Sequence, residues 1–175
     1  IDGSVINSST IVNAVTIKNY PRLEIAENKT HKTKIKQPTA CYVGGLTHIR
    51  GVREMIIACK KAGVKLLLAG PFDSEEYFKQ MQQMPEWNNV EYLGYVESTQ
   101  VKEKVYDRAN LGLVLLHKAP NHTLSIPIKQ LEYMASGLPS ISSKEVVFCK
   151  EVVEKENCGI VVNPLDTNEI AEAIK

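Results

Sequence analysis

From Ala40 onward, short apolar runs alternate with longer stretches in which apolar residues recur every three or four positions. Ala40-Cys41-Tyr42-Val43 is a strand-length run stopped by Gly44-Gly45. Across residues 51–62, Val52, Met55, Ile56, Cys59 and Ala62 fall on one stripe, which predicts a helix with Gly63 at its C-cap. The alternation then repeats. Strands are predicted at 64–69, 90–93, 111–116, 140–142 and 159–162. Helices are predicted at 74–84, 98–109, 127–136, 144–155 and from 168 to 175. Ser74 reads as an N-cap followed by acids, and Pro127 stands near a first turn, where a missing N–H costs little. Short strands alternating with helices predict βαβ units and a parallel sheet. The strands are nearly continuous apolar runs, as expected when helices cover both faces. The expected fold class is therefore α/β, a Rossmann-like doubly wound parallel sheet. Ligands of such sheets bind at the carboxyl ends of the strands.

Residues 1–39 break the pattern. Ala14-Val15-Thr16-Ile17 reads as a strand and Asn19-Tyr20-Pro21 as a turn. Lys29, His31, Lys32, Lys34 and Lys36 form a basic run, which reads as a solvated linker. The expected division is a seam at 1–39 and a Rossmann-like domain at 40–175. A length of 175 residues suits one domain, and the opening Ile suggests a fragment or a processed product.

Charge and cysteine content narrow the function classes. A net charge of +1 exerts no general pull on nucleic acid or an anionic membrane surface. No apolar run approaches the length of a membrane span, and no secretory signal opens the chain. Cys41, Cys59, Cys149 and Cys158 show no C-x-x-C spacing and no accompanying His pair. They read as reduced core thiols in a cytoplasmic protein, not as a metal site. The sequons at Asn7, Asn28 and Asn121 then carry no meaning.

Two constellations can carry chemistry. Tyr42 to Gly51 is a strand, a glycine-rich turn and a helix start bearing Arg50. Gly44 and Gly45 let a ligand approach the backbone, and a helix N-terminus beside a guanidinium suits an anion. The stretch is not G-x-G-x-x-G, so the dinucleotide fingerprint is absent. An ordinary βα turn with a solvated Arg is the bland alternative. In the second constellation, Lys129 and Glu132 are three apart on the helix that opens at Pro127, so they share a face. A cation and a carboxylate there suit a phosphate and a sugar hydroxyl. The bland alternative is a surface ion pair, with Leu131, Met134 and Ala135 as core.

These two stretches resemble the signatures of retaining, family-4-type glycosyltransferases. The resemblance is to the C-terminal, nucleotide-sugar donor domain of their two-domain B-type fold. Leu68-Ala69-Gly70-Pro71, Leu93-Gly94-Tyr95-Val96, Ala109-Asn110-Leu111-Gly112 and the closing Cys158 to Pro164 also fit, in order, across about residues 40–175. The Glu-Tyr-Met-Ala-x-Gly-x-Pro stretch from Glu132 is the most specific piece.

The resemblance implies roles, position by position. Arg50 and Lys129 would contact the donor diphosphate over the Gly44-Gly45 turn, and Glu132 would hold the ribose; these three are the expected catalytic set. The Gly94-Tyr95-Val96 turn would line the nucleobase. It further implies a UDP- or GDP-sugar donor, retention of anomeric configuration and no required cofactor or metal. The acceptor would be a glycan or lipid-linked precursor of a bacterial surface polysaccharide. It would be reached through an N-terminal domain not in this chain, in an enzyme peripheral to the cytoplasmic face of the membrane. Two positions depart from the family: Gly45 replaces a usual Arg, and Leu124 replaces the first Glu of E-x7-E. Ser125 is beside it, and His117, Asn121 and His122 precede the helix, so these are the candidates to face the sugar along with Leu124. Two other readings stay open: a nucleotide-sugar epimerase of the same fold, and a non-catalytic nucleotide-binding module.

Overall fold

The computed structural model describes residues 20–21, 35 and 37–175. The strand expected at 14–17 and the basic residues from Lys29 to Lys36 lie outside the described residues. The strands β1 (Thr39–Val43), β2 (Lys65–Ala69), β3 (Val90–Tyr92), β4 (Leu111–Val114), β5 (Ser140–Ser143) and β6 (Gly159–Val162) occupy the expected runs. They pair in parallel into one sheet of order β3-β2-β1-β4-β5-β6. The helices are α1 (Val52–Ala62), α2 (Glu75–Gln82), α3 (Val101–Lys104), α4 (Pro120–Thr123), α5 (Ile128–Ala135), α6 (Val147–Glu156) and α7 (Thr167–Ile174).

Successive strand residues point to opposite faces, and each face has its own core. Ala40, Tyr42, Leu66 and Leu68 pack with Met55 and Ile56 of α1 and Ile170 and Ile174 of α7. Cys41, Val43, Leu67 and Ala69 pack in a second core with Val105, Tyr106, Tyr133 of α5 and Cys149 of α6. That is why β1 and β2 read as nearly continuous apolar runs. The chain builds the sheet outward from β1 to β3, returns, and builds outward again from β4 to β6. The reversal between β1 and β4 opens a crevice at their carboxyl ends.

Local signals hold where local physics dominates. Gly63 caps α1 at φ 71°, in the left-handed region. The Ser74 hydroxyl accepts from the Tyr77 N–H at 3.1 Å. Packing overrides propensity elsewhere. The helix expected at 98–109 is the short α3 followed by a 3-10 turn at Tyr106–Arg108, with the backbone leaving helical geometry at Val105. Val105, Tyr106 and Ala109 are all buried there. The helix expected from 144 starts at Val147. The Lys144 N–H still donates to the Val162 carbonyl at 2.9 Å, and the Ser143 hydroxyl accepts from the Glu145 N–H at 3.2 Å, so sheet and turn hold this segment.

On α5 the buried side differs from the expected stripe. Leu131, Met134 and Ala135 are only half-buried, whereas Gln130 and Tyr133 are wholly buried. Tyr133 lies flat on Gly112, where a Cβ would stand 2.3 Å from the ring. Gln130 reaches the hydroxyls of Ser140 at 2.9 Å and Ser142 at 2.7 Å, so its amide is satisfied inside the core.

Cys41, Cys59 and Cys149 are buried, but Cys158 is only half-buried, because it lies in the turn before the edge strand β6. Burial pushes the Cys59 and Cys149 thiols up to about 12 and raises Cys41 as well. Thiol reagents attack the thiolate. An aromatic disulfide reagent at neutral pH is therefore expected to modify Cys158 first and the other three only on unfolding. Rapid modification of two or more thiols in the native protein would contradict this packing. Among the described residues, no helix is long and apolar enough to cross a membrane.

Candidate functional site

A cavity of about 320 Å3 opens at the crevice between β1 and β4. Tyr42 lines it from β1, Val114 and Leu116 from the end of β4, and most of segment 121–129 from the loop and the start of α5. Arg50 and Lys129 supply its side-chain cations, and no Asp or Glu of the described residues lines it.

Arg50 closes a 3-10 turn, His48–Arg50, and Gly51 follows at φ 73° as the N-cap of α1. A Cβ on Gly51 would stand 2.4 Å from the Leu115 carbonyl oxygen, so the turn sits hard against the chain leaving β4. The His117 N–H donates to the Ile49 carbonyl at 2.9 Å and fastens the two sides of the crevice together. Arg50 Nη1 donates to the Tyr42 hydroxyl at 3.4 Å. A Cβ on Gly44 would come within 3.2 Å of that nitrogen and 3.0 Å of that hydroxyl. Gly44 thus makes room for the guanidinium, whereas a Cβ on Gly45 would stand 3.7 Å from it, in ordinary contact. Burial raises the Tyr42 pKa, more than Arg50 lowers it, so the hydroxyl keeps its proton.

The opposite wall is the start of α5. Pro127 is its N-cap and no side chain caps it. Ile128 and Lys129 line the cavity, so the positive end of the helix faces it. Lys129 Nζ rests on Glu132 Oε2 at 2.6 Å. Glu132 is buried behind Lys129 and does not itself line the cavity. Its Oε2 also accepts from the Tyr106 hydroxyl. Burial, and then the Glu132 carboxylate, drive the Tyr106 pKa far up, so this hydroxyl acts as a donor. Tyr106 is held edge-on to Tyr133 with ring centroids 5.5 Å apart. Nothing in the sequence ties position 106 to position 132; the break at Val105 brings them together.

Of the residues expected to face a sugar, Asn121, His122 and Ser125 line the cavity. Leu124 does not: it is 58 % exposed and lies outside. His117 is also not on the wall. Its Nε2 lies 3.3 Å from Glu54 Oε2, both atoms are buried, and neither has a hydrogen-bond partner. Glu54, off the apolar stripe of α1, is nevertheless buried in its first turn. The Gly94-Tyr95-Val96 turn shares the carboxyl edge of the sheet but stands two strands away from β1, outside the cavity. The Gly70 N–H donates to the Gly94 carbonyl at 2.7 Å, and Tyr95 is 70 % exposed.

Sequence comparison decides the family. A profile of the glycosyl transferases, group 1, matches residues 37–175. The chain belongs to the group 1 glycosyl transferases. No curated protein sequence matches it. Among solved structures, this glycosyl transferase chain is similar to the apo form of the lipopolysaccharide outer core galactosyltransferase WaaB. The TM-score is 0.66 at 17% identity, covering 93% of this chain and 44% of that one. A point mutant of Staphylococcus aureus TarM, in complex with fondaparinux, alpha-GlcNAc-glycerol and UDP, gives 0.70 at 15% identity, covering 96% and 33%. Anabaena HepE, in complex with UDP and glucose, gives 0.66 at 20% identity, covering 79% and 38%. At these identities the likeness is one of fold. The chain spans less than half the length of each of these proteins.

Proposed function

We propose that this chain is the donor-binding half of a glycosyltransferase and that the β1/β4 cavity holds a nucleotide-diphospho-sugar. The observation that carries this reading is the pairing of Arg50 and Lys129 across a carboxylate-free cavity at the switch point of the sheet. A diphosphate needs cations and open N–H groups; Arg50, Lys129 and the start of α5 supply them. Lys129 would exchange Glu132 for phosphate when the donor arrives, freeing the carboxylate for a ribose hydroxyl. The Gly94 turn would receive the base farther along the same edge.

Catalysis would then be positioning plus neutralisation of the departing diphosphate. The acceptor side would belong to a second domain, with residues 1–39 as the seam. The family and the UDP-bound neighbours support a nucleotide-sugar donor, and retention of configuration completes the proposal. The lipopolysaccharide enzyme among the neighbours supports a surface glycan or its lipid-linked precursor as acceptor, met at the cytoplasmic face of the membrane.

Calorimetric titration of the chain with UDP and with GDP tests the donor site. Saturable binding of one of them at millimolar concentration or tighter is expected, weakened in Arg50→Ala. No binding of either would sink the reading.

A further inference from the structure

Arg50, Lys129 and the first N–H groups of α5 fill the cavity with hydrogen-bond donors. A sugar hydroxyl recognised there also needs an acceptor, and no carboxylate lines the wall. His122 supplies one. It lies in α4, lines the cavity and is 8 % exposed. Its Nδ1 is 3.0 Å from the His117 carbonyl oxygen. A carbonyl oxygen can only accept, so Nδ1 carries the proton. In the neutral ring Nε2 then keeps its lone pair. That nitrogen makes no hydrogen bond within the described residues, yet it is not sealed off as Nε2 of His117 is.

Hydrogen bonds within the loop hold this arrangement. The His117 N–H is tied to the Ile49 carbonyl at 2.9 Å, and the Ser125 hydroxyl donates to the His122 carbonyl at 2.8 Å. Ser125 therefore spends its proton on the loop, whereas the His122 lone pair is uncommitted. Turning the ring over would break the Nδ1 bond and leave a buried nitrogen unpaired.

We infer that His122 Nε2 accepts a hydrogen bond from a hydroxyl of the transferred sugar, and that the cavity selects donors bearing a free hydroxyl at that point. The inference rests on the donor-site reading above. It makes His122 a specificity residue. A sugar lacking the hydroxyl leaves a nearly buried acceptor unpaired, and such sites reject deoxy analogues more strongly than apolar pockets reject a lost methylene.

Two variants separate the acceptor from the loop anchor. His122→Asn keeps an N–H donor where Nδ1 stood and deletes the acceptor. His122→Gln places its amide oxygen near the position of Nε2. Calorimetry would compare UDP with UDP-glucose, UDP-galactose and UDP-N-acetylglucosamine, and GDP with GDP-mannose. Wild type is expected to bind one nucleotide sugar more tightly than its nucleotide. His122→Asn should lose about tenfold of that margin while nucleotide affinity stays, and His122→Gln should recover part of it. An unchanged margin in His122→Asn overturns the inference, as does a wild type with no margin for any of the sugars. Equal losses for nucleotide and nucleotide sugar also overturn it and make His122 a loop anchor only. A wild type that binds no nucleotide fails at the earlier step and removes the donor site itself.

Discussion

Gly51→Ala is expected to destabilise the domain by about 3 kcal/mol, and Gly63→Ala by only about 1 kcal/mol. Both glycines adopt left-handed backbone, at φ 73° and 71°, so both substitutions meet the same conformational penalty. They differ in their surroundings. A Cβ on Gly51 would stand 2.4 Å from the Leu115 carbonyl oxygen and 2.8 Å from the Leu115 Cβ, while a Cβ on Gly63 has nothing within 4 Å. The carbonyl belongs to the backbone beside β4 and cannot swing aside as a side chain would. Relief must come from moving the turn that carries Arg50. Gly51→Ala should therefore also weaken nucleotide binding, and Gly63→Ala should not. Thermal denaturation is a direct check: at about 2–4 °C per kcal/mol for a domain of this size, the two melting points should separate clearly. Equal losses would show that the turn is not wedged against β4.

The second large effect is expected at Lys129. Lys129→Ala should weaken nucleoside diphosphate binding by about a hundredfold, the value of one or two charge-assisted hydrogen bonds. The substitution also strands Glu132, whose carboxylate would keep the Tyr106 hydroxyl but lose its cation. Lys129→Ala with Glu132→Gln separates the two causes. The double variant removes the stranded charge yet restores no phosphate cation, so it should stay at least about tenfold weaker than wild type. Calorimetry with UDP or GDP reads both. Wild-type affinity in Lys129→Ala would remove this residue from the site.

The fold was largely legible because its signals are local. The central strands are runs such as Leu66-Leu67-Leu68, apolar on both faces because helices cover both. Gly63 and Ser74 announce helix ends through backbone geometry and a single hydroxyl. What escaped depends on contacts between distant positions. Val105 bends a segment with the spacing of a helix, because burying Val105, Tyr106 and Ala109 together outweighs continuing the helix. Gln130, a polar residue at a wholly buried position, makes sense only beside Ser140 and Ser142.

The candidate site divides the same way. Arg50 and Lys129 belong to recognisable stretches, and the structure brings both to one cavity. Leu124, next to Ser125 in the same turn between α4 and α5, falls outside it and is exposed to solvent. Tyr106 behind Glu132 and Glu54 beside His117 are long-range pairings with no signature in spacing or composition.

The central claim is that a nucleoside diphosphate binds between Arg50 and Lys129 at the β1/β4 crevice. A crystal of the chain soaked with the nucleotide that binds it tests this most directly. The diphosphate is expected within hydrogen-bond distance of the Arg50 guanidinium and Lys129 Nζ, with Lys129 drawn off Glu132. A diphosphate bound elsewhere on the sheet edge, with the Lys129–Glu132 pair intact, would contradict the account.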